Sequence, residues 1–357
     1  MRLDPLTRRK LRRFREIRRG YYSFLLLLGL LAISAGAELL VNDRALAVRY
    51  DGGWTFPTYG PVRLGAEFGL TGADGVRPVN YQALQARYRD EGGGNRVIMP
   101  LIPWGPYASD AVDGILRAEP PDWQRRHLLG TDSTGRDILA RLFYGFRTAI
   151  LFAMAFTALV YLIGVSLGCA MGYFGGLFDL LFQRVIEIWS NIPFLYMVII
   201  VFSVIPSAFS TGARITILLL IMVLFSWTGM TYYMRTETYK QKGREYTAAA
   251  LALGASTWRI IFRHILPNTV ATMVTFIPFT VVGAIGAITA LDFLGWGLPP
   301  PTPSIGELLK QGTASLTTAP WIVTSAFVAL VFILTIVTFI GEAVREAFDP
   351  RKFTLYR

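Results

Sequence analysis

The chain has 357 residues, of which 53% are hydrophobic, and a formal net charge of +11. This composition excludes an ordinary soluble domain and favours a membrane protein. The charge does not indicate nucleic-acid binding, because nine of the 35 Lys and Arg residues fall within positions 1–20, directly before an apolar stretch.

Six apolar stretches are long enough to cross a bilayer, which takes about 20 helical residues. Since a helix satisfies its own backbone hydrogen bonds in lipid, continuous runs of this length are predicted to be helical. The chain is therefore predicted to be an all-α membrane protein with six transmembrane helices. The six stretches are residues 21–41, 148–171, 188–206, 215–234, 269–291 and 321–341.

The positions of Lys and Arg orient these helices. Six more basic residues lie between Met234 and Asn268, and such basic flanks stay on the cytoplasmic side of the membrane. Both termini are then cytoplasmic. The predicted segments are a basic cytoplasmic tail (1–20), an anchor helix (21–42), an external insert (43–127), a five-helix core (128–341) with a cytoplasmic loop (235–268), and a cytoplasmic tail (342–357).

The first helix has a second interpretation. A basic start, an apolar core and Ala35-Gly36-Ala37 also fit a signal peptide with its cleavage site. We favour a retained anchor, because the apolar run continues through residues 39–41.

The insert is far longer than a connector between two helices requires. It is rich in Gly, Pro, Tyr and Trp, as in DGGWTFPTYGP, and lacks helical periodicity. We predict ordered coil with short strands. Its aromatic residues suit a protein contact, with packing on the membrane domain as the alternative. The candidate contact residues are Trp54, Tyr59, Trp104 and Tyr107.

Two patterns in the core concern helix packing. Glycines at four-residue intervals, at positions 164, 168, 172 and 176, predict a helix face that a neighbouring backbone approaches closely. Pro193 and Pro278 lie within apolar stretches and remove backbone hydrogen bonds, so we expect kinks there.

A few polar or aromatic side chains lie in or beside the predicted helices. Charge inside a membrane is costly and is often functional, whereas near a helix end it also serves as a cap. The candidates for lining a substrate path are Trp189, Asn191, Asp292 and Trp296. An interfacial aromatic belt is the alternative role for the two tryptophans.

The stretch EYTAAALALGASTWRIIFRHILPN, residues 245–268, is a polar segment between two apolar runs. Its alanines form a small-residue helix face, Gly254 suits a helix C-terminus, Ser256 suits the next N-cap, and Pro267 marks the return to the membrane. We predict a helix–turn–helix that docks another protein, with a plain connector as the alternative. The docking residues are Glu245, Tyr246, Ala249, Ala250, Gly254, Ala255 and Ser256.

The motifs give no support for catalysis. The chain lacks the GxxxxGK[ST] phosphate loop, and GTDSTGRD at residues 130–137 has no lysine. That octapeptide is predicted to be a turn in which Asp132, Ser133 or Thr134 caps the next helix.

Disulfide and metal sites are also not expected. The sole cysteine, Cys169, lies in a predicted helix, so no disulfide can form within the chain. His127 and His264 fall on opposite sides of the membrane in the predicted topology.

Five blocks in the same order resemble the ABC-importer permeases of the oligopeptide/dipeptide branch, and most of all the YejE-type peptide importer subunits. They are HLLGTDSTGRDILARLFYGFR (127–147), GYFGGLFD (172–179), the docking segment, LDFLGWGLPPPTPSIGELL (291–309) and GEAVREAFDP (341–350).

The resemblance implies a type I ABC importer permease fold in the bacterial inner membrane, with the insert in the periplasm. It implies a transport subunit and no enzyme, with no cofactor in this chain; ATP and Mg would be bound by a partner ATPase. The implied partners are a homologous permease forming a heterodimer, two cytoplasmic ATPase domains and a periplasmic substrate-binding protein that delivers peptides. The alternatives are a nickel or other small non-peptide cargo, or a membrane scaffold subunit.

The docking segment departs from the pattern of that family, EAA-x3-G-x9-I-x-LP. The motif glutamate and isoleucine positions are Ala248 and His264 here, whereas Gly254 is retained. A salt bridge from the motif glutamate therefore does not carry over. Glu245 lies one helical turn before Ala248, and whether it replaces that glutamate is left open.

Overall fold

The computed structural model describes residues 5–206 and 208–348, with the backbone alone for residues 5–7 and 270–272. The ends of the two predicted tails, residues 1–4 and 349–357, lie outside the described residues. The described chain forms two compact units. The first unit contains residues 5–28, 149–299 and 332–348, and the second contains residues 29–148 and 300–331.

Most of the described chain is helical, as the apolar runs predict. The α-helices are α1 (Pro5–Glu16), α2 (Arg18–Ala35), α3 (Ala37–Leu40), α4 (Tyr81–Glu91), α5 (Ile138–Phe174), α6 (Gly176–Ser190), α7 (Phe194–Ser203), α8 (Thr211–Ser226), α9 (Thr228–Lys242), α10 (Glu245–Ala252), α11 (Thr257–Arg259), α12 (Leu266–Val274), α13 (Ile277–Leu294), α14 (Ile305–Ala314) and α15 (Pro320–Phe348). The strands are β1 (Ala47–Tyr50), β2 (Gly53–Thr55) and β3 (Arg96–Ile98).

Three helices within the described residues, α5, α13 and α15, are each long and apolar enough to cross a membrane. The number rises to six only if each of three bent helix pairs counts as one span. These pairs are α1 with α2, bent by 95°, α6 with α7, bent by 78°, and α8 with α9, bent by 45°. The structure thus supports a multi-span helical protein with between three and six spans.

The predicted helix at residues 188–206 does not exist as one straight span. α7 has ten residues and is therefore about 15 Å long, half of the roughly 30 Å hydrocarbon core. Pro193 occupies its N-cap position, directly after the break from α6. The kink predicted at this proline is confirmed, and it is sharp enough to separate two helices.

The predicted helix at residues 269–291 is broken as well. α12 ends at Val274 and α13 begins at Ile277, with Pro278 in its first turn. Because proline has no N–H, it cannot continue the hydrogen bonds of the preceding helix, whereas the first turn of a new helix tolerates it. The helix is therefore interrupted beside Pro278, where the sequence predicts a kink.

In the first unit, glycines let α5 lie directly against α9. A Cβ atom added to Gly164 would be 2.7 Å from the Cβ of Met230, and one on Gly168 would be 2.5 Å from the carbonyl oxygen of Thr231. At Gly172 the same atom would be 2.6 Å from the carbonyl oxygen of residue 235. The predicted close packing is confirmed for these three. Gly176 is not on this face, because α5 ends at Phe174 and the chain turns before α6.

The second unit contains the insert, which is more ordered than the sequence predicts. β1 pairs antiparallel with both other strands, in the order β2-β1-β3, with Val48 opposite Thr55 on one side and Val97 on the other. α4 covers this sheet. The prediction of coil with short strands misses this helix. Its N-cap Asn80 accepts hydrogen bonds from the N–H groups of Gln82 and Ala83, both at 3.1 Å. The core of the insert is formed by Ala45, Val48, Phe68, Tyr81, Leu84, Tyr88 and Val97.

The turn GTDSTGRD leads into α5 in the second unit, and its cap differs from the prediction. The carboxylate of Asp137 accepts the N–H of Ala140 at 2.7 Å and so caps the first turn of α5. Asp132 instead holds the turn itself, since it accepts the N–H groups of Thr134 and Arg136. The sequence prediction of Asp132, Ser133 or Thr134 as the helix cap is wrong, because the turn continues to Asp137 before α5 begins at Ile138.

A buried ion cluster ties this turn to α14 within the second unit. The side chain of Arg141 is fully buried and donates to Glu307. Arg136 donates to the other oxygen of Glu307 at 3.1 Å and to Asp132 at 2.8 Å. A buried guanidinium without these partners would carry a large desolvation cost. Ion pairs to Glu307 therefore join the sequence block 127–147 to the block 291–309.

Candidate docking segment and transport cavity

The docking segment, residues 245–268, folds as the predicted helix–turn–helix. α10 ends in a glycine turn, in which Gly254 has φ +78°. The N–H of Ala255 bonds the carbonyl of Ala250 and the N–H of Gly254 bonds the carbonyl of Leu251, both at 3.0 Å. These are the two bonds of a Schellman motif, which needs a left-handed residue and favours glycine.

The second half of the segment begins at a side-chain cap. The hydroxyl of Ser256 accepts the N–H of Arg259 at 3.4 Å, which confirms the predicted N-cap. The helix then widens over residues 260–265 into a π-helical stretch before α12. The N–H of Leu266 bonds the carbonyl of Ile261, five residues back, directly before Pro267, which has no N–H to offer.

The exposed surface of the docking segment combines small and large apolar residues. Glu245, Ala248 and Ala249 are exposed on α10, while Leu253 is 88% exposed and Trp258 is 71% exposed. Trp258 stacks on Phe262 with ring centroids 5.4 Å apart. Large apolar side chains with little cover are typical of protein interfaces.

Two residues of α10 face inward and hold the helix in place. Ala250 is 8% exposed, and the buried Thr247 donates its hydroxyl to the carbonyl of Gln241 at 2.8 Å. Ala250 therefore does not belong to the exposed docking face on which the sequence placed it. The hydroxyl of Tyr246 donates to the Gln241 side chain at 2.7 Å, so Tyr246 is partly engaged as well.

A charged clamp fixes the helix that leads into the docking segment. Arg235 of α9 donates from two nitrogens to the two carboxylate oxygens of Asp179 on α6, at 2.5 and 2.7 Å, and Tyr239 donates to the same carboxylate at 2.6 Å. Lys242 at the end of α9 donates to the carbonyl of Tyr173 in the last turn of α5, at 2.6 Å. A cation is favourable at a helix C-terminus.

The sequence interpretation missed this clamp. Asp179 lies in GYFGGLFD, and Arg235 directly follows an apolar run. Arg235 is a charge directly beside a predicted span, which often signals a functional role, whereas Asp179 lies between two predicted spans. Their partnership depends on α6 returning to α9, which the sequence does not reveal.

A cavity of about 490 Å³ lies among α5, α7, α8, α9 and α13 in the first unit. Five of its lining residues are aromatic, and the hydroxyls of Tyr161 and Thr280 lie 3.1 Å apart. Two glycines, Gly229 and Gly283, have open space where a side chain would be. The lining includes Phe156, Tyr161, Phe194, Tyr233, Phe276 and Thr280.

A larger groove of about 850 Å³ lies between α5 and residues 257–273. Its lining is mostly apolar and includes Leu162, Trp258 and Phe262, although Tyr161 and Ser166 line it as well. The polar share of its lining is smaller than in the cavity of about 490 Å³. The cavity lined by Tyr161 and Thr280 is the better candidate for a transport path.

The four residues predicted to line a path have other contacts. The indole N–H of Trp189 donates to the carbonyl of Leu224 at 2.8 Å, and the Asn191 side chain donates to the carbonyl of Glu187 at 2.7 Å. None of the four lines the cavity of about 490 Å³.

Asp292 and Trp296 belong to the turn that ends α13. The buried carboxylate of Asp292 accepts the N–H of Leu298 at 2.6 Å, and a Cβ atom on Gly297 would be 1.8 Å from its oxygen. The N–H of Trp296 bonds the carbonyl of Leu291 at 2.9 Å. Asp292 therefore stabilises this turn.

Three of the four aromatic residues predicted for a contact on the insert are exposed, namely Trp54, Tyr59 and Tyr107. Trp104 differs, because its ring stacks on His127 with centroids 4.3 Å apart and its N–H donates to the carbonyl of Arg125 at 2.8 Å. Trp104 is half-buried and supports the fold of the second unit. Its ring is fixed in place and only partly accessible.

Within residues 5–206 and 208–348, no group of three or more His, Cys, Asp or Glu side chains could hold a metal ion. His127 lies between two carboxylates, with Nδ1 2.8 Å from Asp137 and Nε2 3.1 Å from Asp110.

Residues 164–354 match the family model described as binding-protein-dependent transport system inner membrane component. The inner membrane ABC transporter permease protein YejE of Escherichia coli is 40% identical, over 98% of this chain and 99% of that protein. The peptidoglycan transport system permease protein YejE of Agrobacterium fabrum is 37% identical, over 98% of this chain and 94% of its own.

More distant relatives cover less of the chain. The oligopeptide transport system permease protein OppC of Lactococcus lactis is 37% identical over 64% of this chain and 76% of its own. A solved structure of the inward-facing MetNI methionine ABC transporter covers 59% of this chain at 15% identity, with a TM-score of 0.44, a score too low to establish a common fold.

Proposed function

The chain belongs to the family of binding-protein-dependent transport system inner membrane components, and on that premise we propose that it forms half of the path by which an ATP-driven importer moves peptides. Membership makes the chain a multi-pass inner-membrane permease subunit and a transport component, with ATP hydrolysis assigned to separate subunits.

Peptide cargo is supported by the near-complete match to YejE relatives together with the oligopeptide permease OppC. The rival cargo is nickel or another small non-peptide solute. The rival from a different class is a membrane scaffold, which the docking segment opposes, since a scaffold needs no exposed helix with a Schellman turn and bare apolar side chains.

Uptake by proteoliposomes containing the full transporter and its binding protein tests the cargo. We expect ATP-dependent accumulation of a labelled tripeptide, and none when the ATPase subunit cannot hydrolyse ATP. Accumulation of nickel without peptide uptake would show that the cargo is nickel and not a peptide. Failure of the chain to assemble with any ATPase would favour the scaffold.

The proposed partners are a homologous permease, two cytoplasmic ATPase domains, which bind ATP and Mg, and a periplasmic binding protein. The docking segment would lie in a groove of one ATPase domain, a helix-in-groove contact. Glu245, Ala249 and Ala255 would contribute to the contact surface. Gly254 and Ser256 would shape it through the turn and the N-cap.

We place the transport path at the cavity of about 490 Å³ because it combines aromatic walls with hydroxyl groups in the bundle. Two glycines of α13 offer a matched test. Neither Gly283 nor Gly286 has an atom within 4 Å of an added Cβ, but only Gly283 lines the cavity. Gly283→Leu should therefore block peptide uptake while the complex still assembles.

Gly286→Leu, on the same helix, is the control and should retain uptake. Equal loss in both variants would mean that the substitutions disturb helix packing. Unchanged uptake in Gly283→Leu would exclude this cavity as the path.

The exposed aromatic residues of the insert are proposed to contact the binding protein. Trp54→Ala, Tyr59→Ala and Tyr107→Ala should each weaken its affinity, because buried aromatic anchors dominate such interfaces. Val76→Ala, at an exposed aliphatic position of the same unit, is the control. Unchanged affinity in all three aromatic variants would leave the insert as a cap on the membrane domain.

A further inference from the structure

A polar cleft of about 380 Å³ lies on the insert, within the second unit. Its size falls at the lower end of the roughly 300–1,000 Å³ typical of small-molecule sites. Its lining carries three guanidinium groups and a single carboxylate, Asp110. We call this cleft the arginine cleft. Its lining includes Gln82, Gln85, Arg89, Trp104, Arg125 and Arg126.

One side of the arginine cleft is fixed by a chain of contacts. The indole of Trp104 is held between its stack on His127 and its hydrogen bond to the carbonyl of Arg125. Asp110 accepts from the Arg125 side chain and lies 3.1 Å from Nε2 of His127. The only carboxylate of the lining is thereby occupied, so the positive charge of Arg89 and Arg126 is left in excess.

The opposite side is a face of α4. Gln82, Gln85 and Arg89 are spaced by three and four residues and so share one side of the helix. The amide nitrogen of Gln82 donates to the carbonyl of Pro103 at 2.5 Å, and that of Gln85 to the carbonyl of Val97 at 2.9 Å. These bonds use donor groups and leave the two amide oxygens as acceptors. Within the described part of the chain, Arg89 has no ion-pair or hydrogen-bond partner.

Arg126 occupies a position that favours glycine. It has φ +60° in the short turn between Asp122 and His127, whose backbones bond each other at 2.8 and 2.9 Å. A left-handed residue other than glycine costs about 1–2 kcal/mol, and such strain is often found where a side chain binds a ligand. Its side chain makes one hydrogen bond, at 3.3 Å, to the carbonyl of Leu101.

We propose that the arginine cleft binds the C-terminal carboxylate of a short peptide. Arg89 and Arg126 would hold the carboxylate, since guanidinium groups form paired charge-assisted bonds to it. The amide oxygens of Gln82 and Gln85 would accept peptide N–H groups, and Trp104 would cover an apolar side chain. Phosphate or sulfate fits less well, because neither ion has N–H groups to donate to the amide oxygens of Gln82 and Gln85.

The proposal rests on the periplasmic placement of the insert and on peptide cargo, as proposed above. The cleft would then hold a peptide outside the membrane before it enters the bundle. The test is a calorimetric titration of trialanine into the complete transporter in lipid nanodiscs without the binding protein. Trialanine amide, which lacks the carboxylate, and inorganic phosphate are the comparison probes.

Arg89→Gln and Arg126→Gly should each weaken trialanine binding by about tenfold or more, the value of one charge-assisted hydrogen bond. Arg87→Gln is the matched control, because Arg87 lies on the same helix, pairs with Glu91 and does not line the cleft. Arg126→Gly also removes the left-handed strain. It should therefore leave the thermal midpoint of the transporter unchanged or raised, which separates lost binding from lost folding.

Equal binding of trialanine and its amide would overturn the proposal, as would phosphate binding as tightly as the peptide. Wild-type affinity in Arg89→Gln would also overturn it. An effect confined to the affinity for the binding protein would reassign the cleft as a docking contact. Peptide uptake measured in parallel reports on the transport function separately, since the titration does not depend on ATP.

Discussion

Gly254→Val should disturb the turn that ends α10, and with it the proposed contact to the ATPase, through the backbone alone. Gly254 has φ +78°, and a Cβ atom added to it meets no atom within 4 Å. A steric clash with a neighbour is therefore excluded as a cause. The left-handed conformation costs a residue other than glycine about 1–2 kcal/mol, and a β-branched residue lies at the upper end of this range or beyond.

The expected size of the effect follows from the turn. If valine leaves the left-handed region, the two bonds from residues 254 and 255 to α10 are lost. A penalty of about 1–2 kcal/mol changes the ratio of formed to unformed turn by roughly 5- to 30-fold. Binding-protein-stimulated ATPase activity of the reconstituted complex should fall together with peptide uptake, while the subunit is still inserted in the membrane.

Two control variants isolate the cause. Gly254→Asn should keep most of the activity, because asparagine tolerates the left-handed region. Gly243→Val changes an exposed glycine at the other end of α10, where φ is −77° and an added Cβ makes only ordinary contacts at 3.8 Å. It should be close to wild type. Full coupled activity in Gly254→Val, or equal loss in Gly243→Val, would refute the reasoning.

Two further results are expected. In a Cys169→Ser background, Val76→Cys should react with a membrane-impermeant maleimide from outside, and Lys240→Cys only after permeabilisation; the reverse pattern would overturn the proposed orientation. Asp179→Asn should lower the thermal midpoint of the solubilised subunit by an amount equivalent to about 1.5–3 kcal/mol, because it weakens the charge-assisted bonds from Arg235. An unchanged midpoint would show that this clamp adds no net stability.

The features that the sequence predicts correctly are those with a local physical cause. Gly254 ends a helix because of its own φ, and Ser256 caps one through its own hydroxyl. The glycines at 164, 168 and 172 follow from the helical repeat, since residues four apart share a face. The family and the helical character follow from composition and block order.

Other features depend on contacts that the sequence does not specify. The apolar run at 188–206 is long enough for one span, but Pro193 divides it, and hydropathy does not measure the resulting angle. α4 carries too weak an apolar pattern to be recognised, because Tyr81, Leu84 and Tyr88 are its only buried residues. The pairing of Arg141 with Glu307 joins positions 166 residues apart, so only the fold brings them together.

Contacts between residues far apart in the sequence also connect α10 to the cavity, so a displacement of α10 would be transmitted to it. α10 is joined to α9 by the bond from Thr247 to the carbonyl of Gln241, and α9 is tied to α6 through Asp179 and to α5 through Lys242. At Gly168 and Gly172, α5 and α9 meet backbone to backbone, with no flexible side chain between them to absorb a displacement.

Because packed interfaces of this kind do not deform continuously, α9 and α5 would move together if the proposed ATPase displaced the docking segment. Both helices contribute walls of the cavity of about 490 Å³, whereas its remaining walls come from α7, α8 and α13. Movement of one set of walls against the other would open or close that cavity. If the proposed function is correct, Gly254→Val should interrupt this coupling at the docking segment, and Gly283→Leu should obstruct the cavity itself.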